Sequence, residues 1–289
     1  MLLEAFAKIN WSLDITGVRE DGYHLMDMVM QPVSISDEVS LIPAQDLSIT
    51  TDGFPRSPAD SSNLAFRAAE ALRLAAGIQA GVRIHIHKRI PMGAGMGGGS
   101  ADAAAVLFGL NRLWNLGLSQ QELENIGLTI GADVPFCLRG GLARTTGIGE
   151  TITAFPCKCN WWMLVFQPCR GLSTREIFSA WNPDHVSRPD NDLVLDALRT
   201  GNLDLLARGI SNVLEPVSSA RCPQIRNAVD ALLASGAGIS AMTGSGSAVF
   251  GVFRSRREAE KALKQLNTKW PVIHLCHTQA DSIRITEES

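Results

Sequence analysis

Charge is scarce in this sequence, and positive charge is not in excess. Charged residues make up 19% of the 289 positions, and the formal net charge is -3. Such a balance gives no strong positive field for a nucleic-acid backbone, so we expect no nucleic-acid partner. Apolar residues make up 45%, as in ordinary globular proteins. A chain of this length is expected to form two lobes that share a cleft.

Apolar runs of membrane-spanning length are also missing. Near the start of the chain, Glu4 and Lys8 interrupt the apolar residues, and no uninterrupted apolar segment of the required length follows. The pattern therefore predicts a cytoplasmic protein that makes no membrane contact.

The cysteines lack the spacing of a metal site. No C-x-x-C pair occurs, and no histidines follow at zinc-finger spacing. The six cysteines are Cys137, Cys157, Cys159, Cys169, Cys222 and Cys276. We interpret them as reduced thiols.

Alternation of polar and apolar residues predicts a strand near the start of the chain. From Ile9 to Ile15 every second residue is apolar, and Lys8 and Asn10 belong to the polar set between them. Period-two alternation is typical of a strand with one buried face. We therefore expect a half-buried strand over residues 7–15 with a polar working face.

Periodicity along the rest of the chain predicts further strands and helices without a long linker or repeat. Strands are expected at 26–33, 38–42, 82–90, 161–166, 239–243 and 248–253. Helices are expected at 64–75, from Ser100, from Ser119, from Ser173, at 223–234 and from Ser255. We place an amino-terminal lobe at 1–150 and a carboxyl-terminal lobe at 151–289.

A glycine run is the most informative local feature. Five glycines lie within the seven residues from Gly93 to Gly99, between a predicted strand and a predicted helix. This is costly in chain entropy, and a turn needs only one glycine. Bare backbone N–H groups can converge on an anion, and the start of the helix adds partial positive charge. The run therefore predicts a polyphosphate-binding loop.

Two familiar glycine motifs fit the run less well. A Walker A loop is excluded because no lysine follows the last glycine before Ser100. Gly93, Gly95 and Gly98 match G-x-G-x-x-G, which makes a dinucleotide-binding oxidoreductase the alternative. However, the preceding strand is not fully apolar, and the region after the helix is again helical rather than a strand with an acidic end.

Three motifs in order resemble those of the GHMP kinase superfamily, which includes galactokinase, homoserine kinase and mevalonate kinase. They are Ala7-Lys-Ile-Asn10, Pro91-Met-Gly-Ala-Gly-Met-Gly-Gly-Gly-Ser-Ala-Asp-Ala-Ala104 and Met242-Thr-Gly-Ser-Gly-Ser-Ala-Val-Phe250. The resemblance implies an α+β fold with a ribosomal-protein-like amino-terminal α/β lobe and a ferredoxin-like carboxyl-terminal lobe. It also implies a Mg²⁺- and ATP-dependent kinase that phosphorylates a hydroxyl group of a small metabolite.

Further segments are most similar to the branch of the superfamily that phosphorylates the 2-hydroxyl of 4-diphosphocytidyl-2-C-methyl-D-erythritol in non-mevalonate isoprenoid biosynthesis. They are Arg19-Glu-Asp-Gly-Tyr-His24, Gly131-Ala-Asp-Val-Pro-Phe136, Gly147-Ile-Gly-Glu150, Asn191-Asp-Leu193 and Asn212-Val-Leu-Glu215. A homoserine- or mevalonate-type kinase remains the enzymatic alternative. A non-catalytic nucleotide-binding sensor is the alternative from another class, and the sequence leaves monomer and homodimer open.

The resemblance assigns roles to individual residues. Lys8 and Asp133 are the candidate catalytic residues, with Asp133 accepting the proton of the substrate hydroxyl. The candidate residues for the cytidine diphosphate-linked substrate are Asn10, Tyr23, His24, Thr174 and Phe178. The candidate ATP-binding residues are Pro91, Met92, Gly93, Ala94, Gly95, Met96, Gly97, Gly98, Gly99, Ser100 and Ala101. Ser100 is also the candidate magnesium ligand, because Ala101-Asp102 stands where the family often has Ser-Asp or Ser-Asn.

Some of these residues also have ordinary structural interpretations. A lone lysine such as Lys8 is usually a solvated surface residue. Asp133 fits a turn before Pro135, and Phe178 fits a helix core.

Overall fold

The structure, a computed structural model, describes residues 1–53, 58–157, 160–270 and 272–288. The strands are β1 (Leu2–Val18), β2 (His24–Ala44), β3 (Ser48–Asp52), β4 (Gly81–His87), β5 (Leu142–Gly147), β6 (Thr151–Phe155), β7 (Trp162–Phe166), β8 (Ile239–Met242), β9 (Val249–Phe253), β10 (His274–His277) and β11 (Ile283–Glu287). The helices are α1 (Leu64–Ala76), α2 (Gly98–Leu113), α3 (Gln120–Ile130), α4 (Val134–Arg139), α5 (Thr174–Ser179), α6 (Asn191–Thr200), α7 (Leu203–Gly209), α8 (Glu215–Arg221), α9 (Gln224–Ala234) and α10 (Arg256–Leu266), with a 3₁₀ turn at Pro183–His185. Within these ranges no helix combines the length and the apolar character needed to cross a bilayer.

The larger sheet is organised around the long strand β2. Strand β1 is antiparallel to β2 and also pairs with β11. On the other edge of β2, its first half pairs with β5 and its second half pairs with β4, both antiparallel. Strand β3 extends the sheet parallel to β4, and β6 forms a hairpin with β5. One strand therefore connects all the others of this sheet.

Strand β2 differs from its sequence-based prediction. We expected separate strands at 26–33 and 38–42 from their apolar stretches. The structure has one continuous strand. Ser36 and Asp37 are buried within it, and Asp37 accepts hydrogen bonds from the backbone N–H groups of Arg89 and Ile90. These hydrogen bonds satisfy the buried Asp37 carboxylate within a continuous strand.

Strand β1 is buried on both faces, and the expectation of a half-buried strand was wrong. Lys8 is 4% exposed and Asn10 is 2% exposed. Their backbone N–H groups donate to the Met96 carbonyl and to the Thr243 hydroxyl, respectively. The polar face is therefore covered by the glycine run and by the carboxyl-terminal part of the chain.

The predicted helix boundaries near α1 and α3 are confirmed. Asn63 caps the start of α1, and Gly77 ends it in the left-handed conformation with φ 64°. Ser119 and Glu122 form the predicted capping box at the start of α3. Such caps satisfy backbone groups that a helix leaves unpaired at its ends.

A second, four-stranded sheet has the order β10-β7-β9-β8, with antiparallel pairing throughout. Helices α9 and α10 pack on it. Trp11 of β1 contacts Trp161 and Phe250 edge to face, with ring centroids 6.3 and 5.7 Å apart. The apolar core is therefore continuous between the two sheets. The division into lobes at residues 150 and 151 stays a prediction. Strands β6 and β11, which both follow residue 150, lie in the larger sheet.

The cysteines correct one expectation. Cys169 and Cys222 form a disulfide between the segment after β7 and the end of α8. Cys137 and Cys276 are free thiols, as expected, and Cys159 lies outside the described residues. The bonded pair is 53 residues apart in the sequence, so only the folded chain brings the two sulfur atoms together.

The start of β4 gives a stability prediction. A Cβ atom at Gly81 would overlap the Gln45 carbonyl and lie 2.7 Å from the Asp46 nitrogen, both of which are backbone atoms. We expect Gly81→Ala to lower the free energy of unfolding by about 1–3 kcal/mol, as overpacking usually does, measured by urea denaturation.

Gly17→Ala in β1 is the matched control, because its Cβ would make an ordinary 3.6 Å contact with Leu25. Equal losses in the two variants would contradict the steric explanation.

Candidate active site

A cleft of about 550 Å³ lies where β1, the glycine run and the carboxyl-terminal part of the chain meet. This volume is in the range of small-molecule sites. Its walls include Lys8 and Asn10 from β1, Asp133 before α4, and Gly244 and Ser245 from the turn between β8 and β9. The three sequence motifs thus converge on one cavity.

The glycine run has the backbone geometry of an anion-binding loop. Gly93, Gly95 and Gly97 have φ values of 62°, 77° and 69°. These left-handed glycines alternate with residues of ordinary backbone conformation. Helix α2 follows directly from Gly98 and has no side-chain cap at its start. Alternating left-handed residues followed by an uncapped helix present backbone N–H groups to a common point. The predicted polyphosphate-binding loop therefore has a fitting conformation.

The loop packs directly on the turn between β8 and β9. A Cβ at Gly95 would overlap the carbonyl oxygen of Thr243, and one at Gly244 would lie 2.7 Å from the Gly95 oxygen. The Ala248 N–H donates to the Ala94 carbonyl at 3.0 Å. Two backbones approach this closely only where glycine removes the side chains.

A set of buried polar groups supports this turn from behind. The Asn212 amide donates to the carbonyls of Met242 and Gly244 at 2.9 and 2.8 Å. The Glu215 carboxylate accepts from the Met242 N–H at 2.9 Å, and burial raises the Glu215 pKa. The segment Asn212-Val-Leu-Glu215 therefore shapes the site without lining the cleft.

Lys8 and Asp133 lie together beside the loop. Lys8 Nζ is 3.4 Å from Asp133 Oδ2 and 2.7 Å from Asn10 Oδ1. The Asp133 side chain is 30% exposed, and the Lys8 side chain is 5% exposed. Asp133 is the residue before α4 but makes no side-chain cap bond to it. Its carboxylate is therefore available to the cleft, with the Lys8 ammonium beside it.

A second group of predicted residues lies at the cleft or next to it, with His24 outside its lining. Thr174 and Phe178 line it, and the Thr174 hydroxyl lies 2.9 Å from that of Ser245. His24 packs on Phe178 with ring centroids 5.2 Å apart and on Trp181 at 6.1 Å. These rings form an aromatic surface suited to a planar ligand.

Tyr23 is placed differently from the other predicted residues. Its side chain is 60% exposed and does not line the cleft. The Arg19 guanidinium lies over its ring, 5.5 Å from the centroid. The structure therefore brings His24, but not Tyr23, to the cluster around Phe178.

The predicted ATP-binding residues from Pro91 to Ser100 all line the cleft, whereas Ala101 is 1% exposed and does not. The predicted site does not include several other lining residues, among them Pro58, Ser62, Asn63, Leu64, Lys88 and Ile90. Lys88 had a usable signal, because a lysine close to an anion-binding loop is a candidate ligand, and only four residues separate it from Gly93. Asp102, noted only as a departure from the family pattern, also lines the cleft.

The residues of the site fit a phosphate-bound magnesium ion better than a protein-bound one. Ser100 lines the cleft beside the loop, but within the described ranges no three ligating side chains form a metal cluster. Mg²⁺ keeps several waters and often binds through substrate phosphates and one or two protein oxygens. A site with one hydroxyl next to the phosphate loop is compatible with that mode.

Two protein-family models match the chain. The model for the GHMP kinases N terminal domain matches residues 63–141, and the model for the GHMP kinases C terminal region matches residues 194–272. The first range contains the glycine run and Asp133, and the second contains the turn between β8 and β9.

Individual relatives match over nearly the whole chain. The 4-diphosphocytidyl-2-C-methyl-D-erythritol kinase of Alkaliphilus metalliredigens is 40% identical over 275 residues, covering 94% of each chain. That of Caldicellulosiruptor saccharolyticus is 41% identical over 268 residues, covering 92% of each. A crystal structure of 4-(cytidine 5'-diphospho)-2C-methyl-D-erythritol kinase superposes with a TM-score of 0.82 at 33% identity, covering 96% of this chain and 99% of that one. Homoserine kinase from Cytophaga hutchinsonii has a similar fold, with a TM-score of 0.79 at 18% identity and coverage of 98% and 96%.

The geometry of the loop predicts the effect of a substitution at Gly97. A Cβ there would lie 3.1 Å from Lys8 Cγ, and a branched side chain would also occupy the space in front of the N–H groups. We expect Gly97→Val to weaken ATP binding by about tenfold or more, since hydrogen bonds to charged groups contribute about 1.5–3 kcal/mol. Isothermal titration calorimetry measures this directly.

Gly77→Val is the matched control, because Gly77 has a φ of 64° and open space around its Cβ position. It carries the same backbone strain at the end of α1, away from the loop, so it should lower stability and leave ATP affinity unchanged. Equal ATP affinities for Gly97→Val and the parent protein would exclude the loop as the phosphate site.

Proposed function

Because the chain belongs to the GHMP kinase family, we propose that it transfers the γ-phosphoryl group of ATP to the 2-hydroxyl of 4-diphosphocytidyl-2-C-methyl-D-erythritol. The products are the 2-phosphate and ADP. The observation that carries the activity is the contact between Lys8 and Asp133 beside the glycine loop. The choice of substrate rests on relatives of this specificity that match more than nine-tenths of the chain.

In the proposed reaction, the hydroxyl oxygen of the substrate attacks the γ-phosphorus and the bond to the β-phosphate oxygen breaks. Asp133 accepts the hydroxyl proton, since its carboxylate is open to the cleft. Lys8 lies beside that carboxylate and stabilises negative charge on the transferring group. Asn10 holds the Lys8 ammonium through its side-chain oxygen at 2.7 Å.

We place the nucleotide phosphates along residues 93–100 and the cytosine near Phe178 and His24. Support for the first assignment comes from the left-handed glycines and the uncapped start of α2. Support for the second comes from the ring contact between His24 and Phe178. Because Asp133 and Lys8 line the same cleft as the loop and Phe178, the acceptor hydroxyl can lie next to them.

Magnesium, with Ser100 as its protein ligand, belongs to the proposal. When bound, the ion neutralises charge on the β- and γ-phosphates. A cytoplasmic location also remains a proposal, and so does the oligomeric state, monomer or homodimer.

The rival functions make different predictions for one assay. ADP release would be measured with the cytidine substrate, with homoserine, with mevalonate and with ATP alone. We expect release above background only with the cytidine substrate. Release with one of the other two would reassign the enzyme within the superfamily. No release with any acceptor, together with tight ATP binding, would favour the nucleotide-binding sensor.

The proton transfer can be tested with Asp133→Asn. The change preserves size and removes basicity, so we expect kcat to fall by about two to four powers of ten, the usual contribution of a general base. ATP affinity should change little. A loose transition state needs little help from a base, so a near-normal kcat at saturating substrate would reduce Asp133 to a positioning role.

Asp204→Asn is the control for this change. Asp204 is 82% exposed and pairs with Arg254 on the surface of the carboxyl-terminal part, so its loss should leave kcat unchanged.

The assignment of the cytosine site can be tested with His24→Ala. Stacking of a base on an aromatic ring contributes about 1–3 kcal/mol, so the KM for the cytidine substrate should rise by about 5- to 150-fold while that for ATP changes far less. Steady-state kinetics with each substrate varied in turn gives both constants. Equal rises in the two KM values would contradict the assignment.

Tyr23→Ala is the natural companion variant. We expect a smaller rise than for His24→Ala, because the Tyr23 ring packs on Arg19, whereas His24 packs on Phe178 in the lining of the cleft.

A further inference from the structure

Three buried charged residues lie beside the phosphate-binding loop, and two of them, Lys88 and Asp102, also line the cleft. Lys88, Asp37 and Asp102 are each 5% exposed or less. Lys88 Nζ forms ion pairs with Asp37 Oδ2 and, at 2.5 Å, with Asp102 Oδ2. The two carboxylates come from different elements, β2 and α2, so the lysine joins segments that are distant in the sequence.

Asp37 holds the chain just before the loop. Its Oδ1 atom accepts hydrogen bonds from the N–H groups of Arg89 and Ile90 at 2.5 and 2.8 Å. These residues follow β4 and precede Pro91, where the loop begins. Asp37 therefore fixes the entry to the loop against the centre of the larger sheet.

Asp102 lies just after the loop, in the first turns of α2. Lys88 itself sits next to the start of that helix, since a Cβ at Gly98 would be 3.5 Å from Lys88 Nζ. The pair formed by Lys88 and Asp102 thus connects the exit of the loop to its entry.

We propose that Asp37, Lys88 and Asp102 form a clamp that holds the two ends of the phosphate-binding loop in register and thereby positions its N–H groups for ATP. They are positioning residues, because Asp133 and Lys8 meet the reacting groups in the proposed reaction. The inference rests on the proposed role of the loop in binding ATP.

The composition of the loop explains why a clamp is needed. Its five glycines give it many alternative conformations, and ordering it costs free energy. Outside the cluster, the loop is held by backbone contacts such as those of Lys8 with Met96 and Ala248 with Ala94.

The chemistry of the cluster also argues against a role in stability alone. Desolvation makes buried ion pairs poor contributors to stability, and apolar replacements are often tolerated or better. Burial raises the pKa of Asp102 to about 7, opposed by Lys88 and assisted by Asp37. Burial lowers the Lys88 pKa, but the two carboxylates outweigh it and raise it overall. Because burying these charged groups costs free energy, the cluster is better explained by the loop geometry that it imposes.

Asp102→Ala is the principal test. It removes the ion pair between Lys88 and the start of α2. Lys88 stays paired with Asp37, so no buried charge is left without a partner. In the ligand-free protein, the N–H groups of Lys8 and Ala248 report on the loop, because they donate to its carbonyls. We expect their hydrogen exchange, measured by NMR, to accelerate by about tenfold or more, whereas exchange in β7 and β9 stays unchanged. The Kd for ATP, measured by calorimetry, should rise by about tenfold or more.

Glu124→Ala is the matched control, because Glu124 is a buried carboxylate paired with Arg139 at 2.6 Å between α3 and α4. It should leave exchange at Lys8 and Ala248 and the Kd for ATP as in the parent. The double variant Lys88→Met with Asp102→Ala removes the same link without an ammonium group at the site. It should show the same faster exchange and the same rise in Kd as we expect for Asp102→Ala. It replaces that variant in the test if the single substitution prevents folding.

The outcomes separate the clamp from the proposed function. Unchanged exchange at Lys8 and Ala248 would overturn the clamp, and so would faster exchange with an unchanged Kd for ATP. A lower melting temperature without either change would make the cluster merely structural and would also overturn it. If the parent protein bound no ATP, the proposed function would fail, while the exchange data would still decide whether the three residues hold the loop.

Discussion

The phosphate-binding loop and the turn between β8 and β9 touch backbone to backbone, and the active site depends on that contact. Gly95 and Gly244 each lack the room for a Cβ atom against the other segment. Asn10 of β1 joins the same contact, since its N–H donates to the Thr243 hydroxyl. Because bare backbone meets bare backbone, small changes in either segment would shift the walls of the cleft. This explains why the chain has glycine-rich sequence in two places nearly 150 residues apart.

Two lysines serve this arrangement in different ways. Lys8 shares the cleft with a carboxylate that is partly open to solvent, so its charge is available to substrates. Lys88 is held between two buried carboxylates beside the loop, and its hydrogen bonds are used within the protein. Both lysines line the cleft, so the contrast follows from their partners: Lys8 faces one partly exposed carboxylate, whereas Lys88 faces two buried ones.

The long strand β2 connects these functions. It carries Asp37, which fixes the entry to the loop, and it pairs with β1, on which Lys8 and Asn10 lie. Its first residue, His24, packs on Phe178, which lines the cleft. The spacing between the proposed phosphate and cytosine sites is therefore set within one sheet, and a rigid sheet holds such residues more precisely than flexible loops do.

The sequence by itself determined the local features of this protein. The five-glycine run, the caps of α1 and α3 and the three motifs identified the loop, the helices and the family, because these signals depend on residues close together in the chain. The tertiary structure decided the rest. It joined two predicted strands into β2 by giving Asp37 buried partners, covered the polar face of β1, paired Cys169 with Cys222 and placed Lys88 against Asp102. Each of these features depends on contacts between segments that are distant in the sequence. The partner of a polar or thiol group is determined by how the sheets and helices pack. Neither periodicity nor spacing in the sequence therefore predicts that partner.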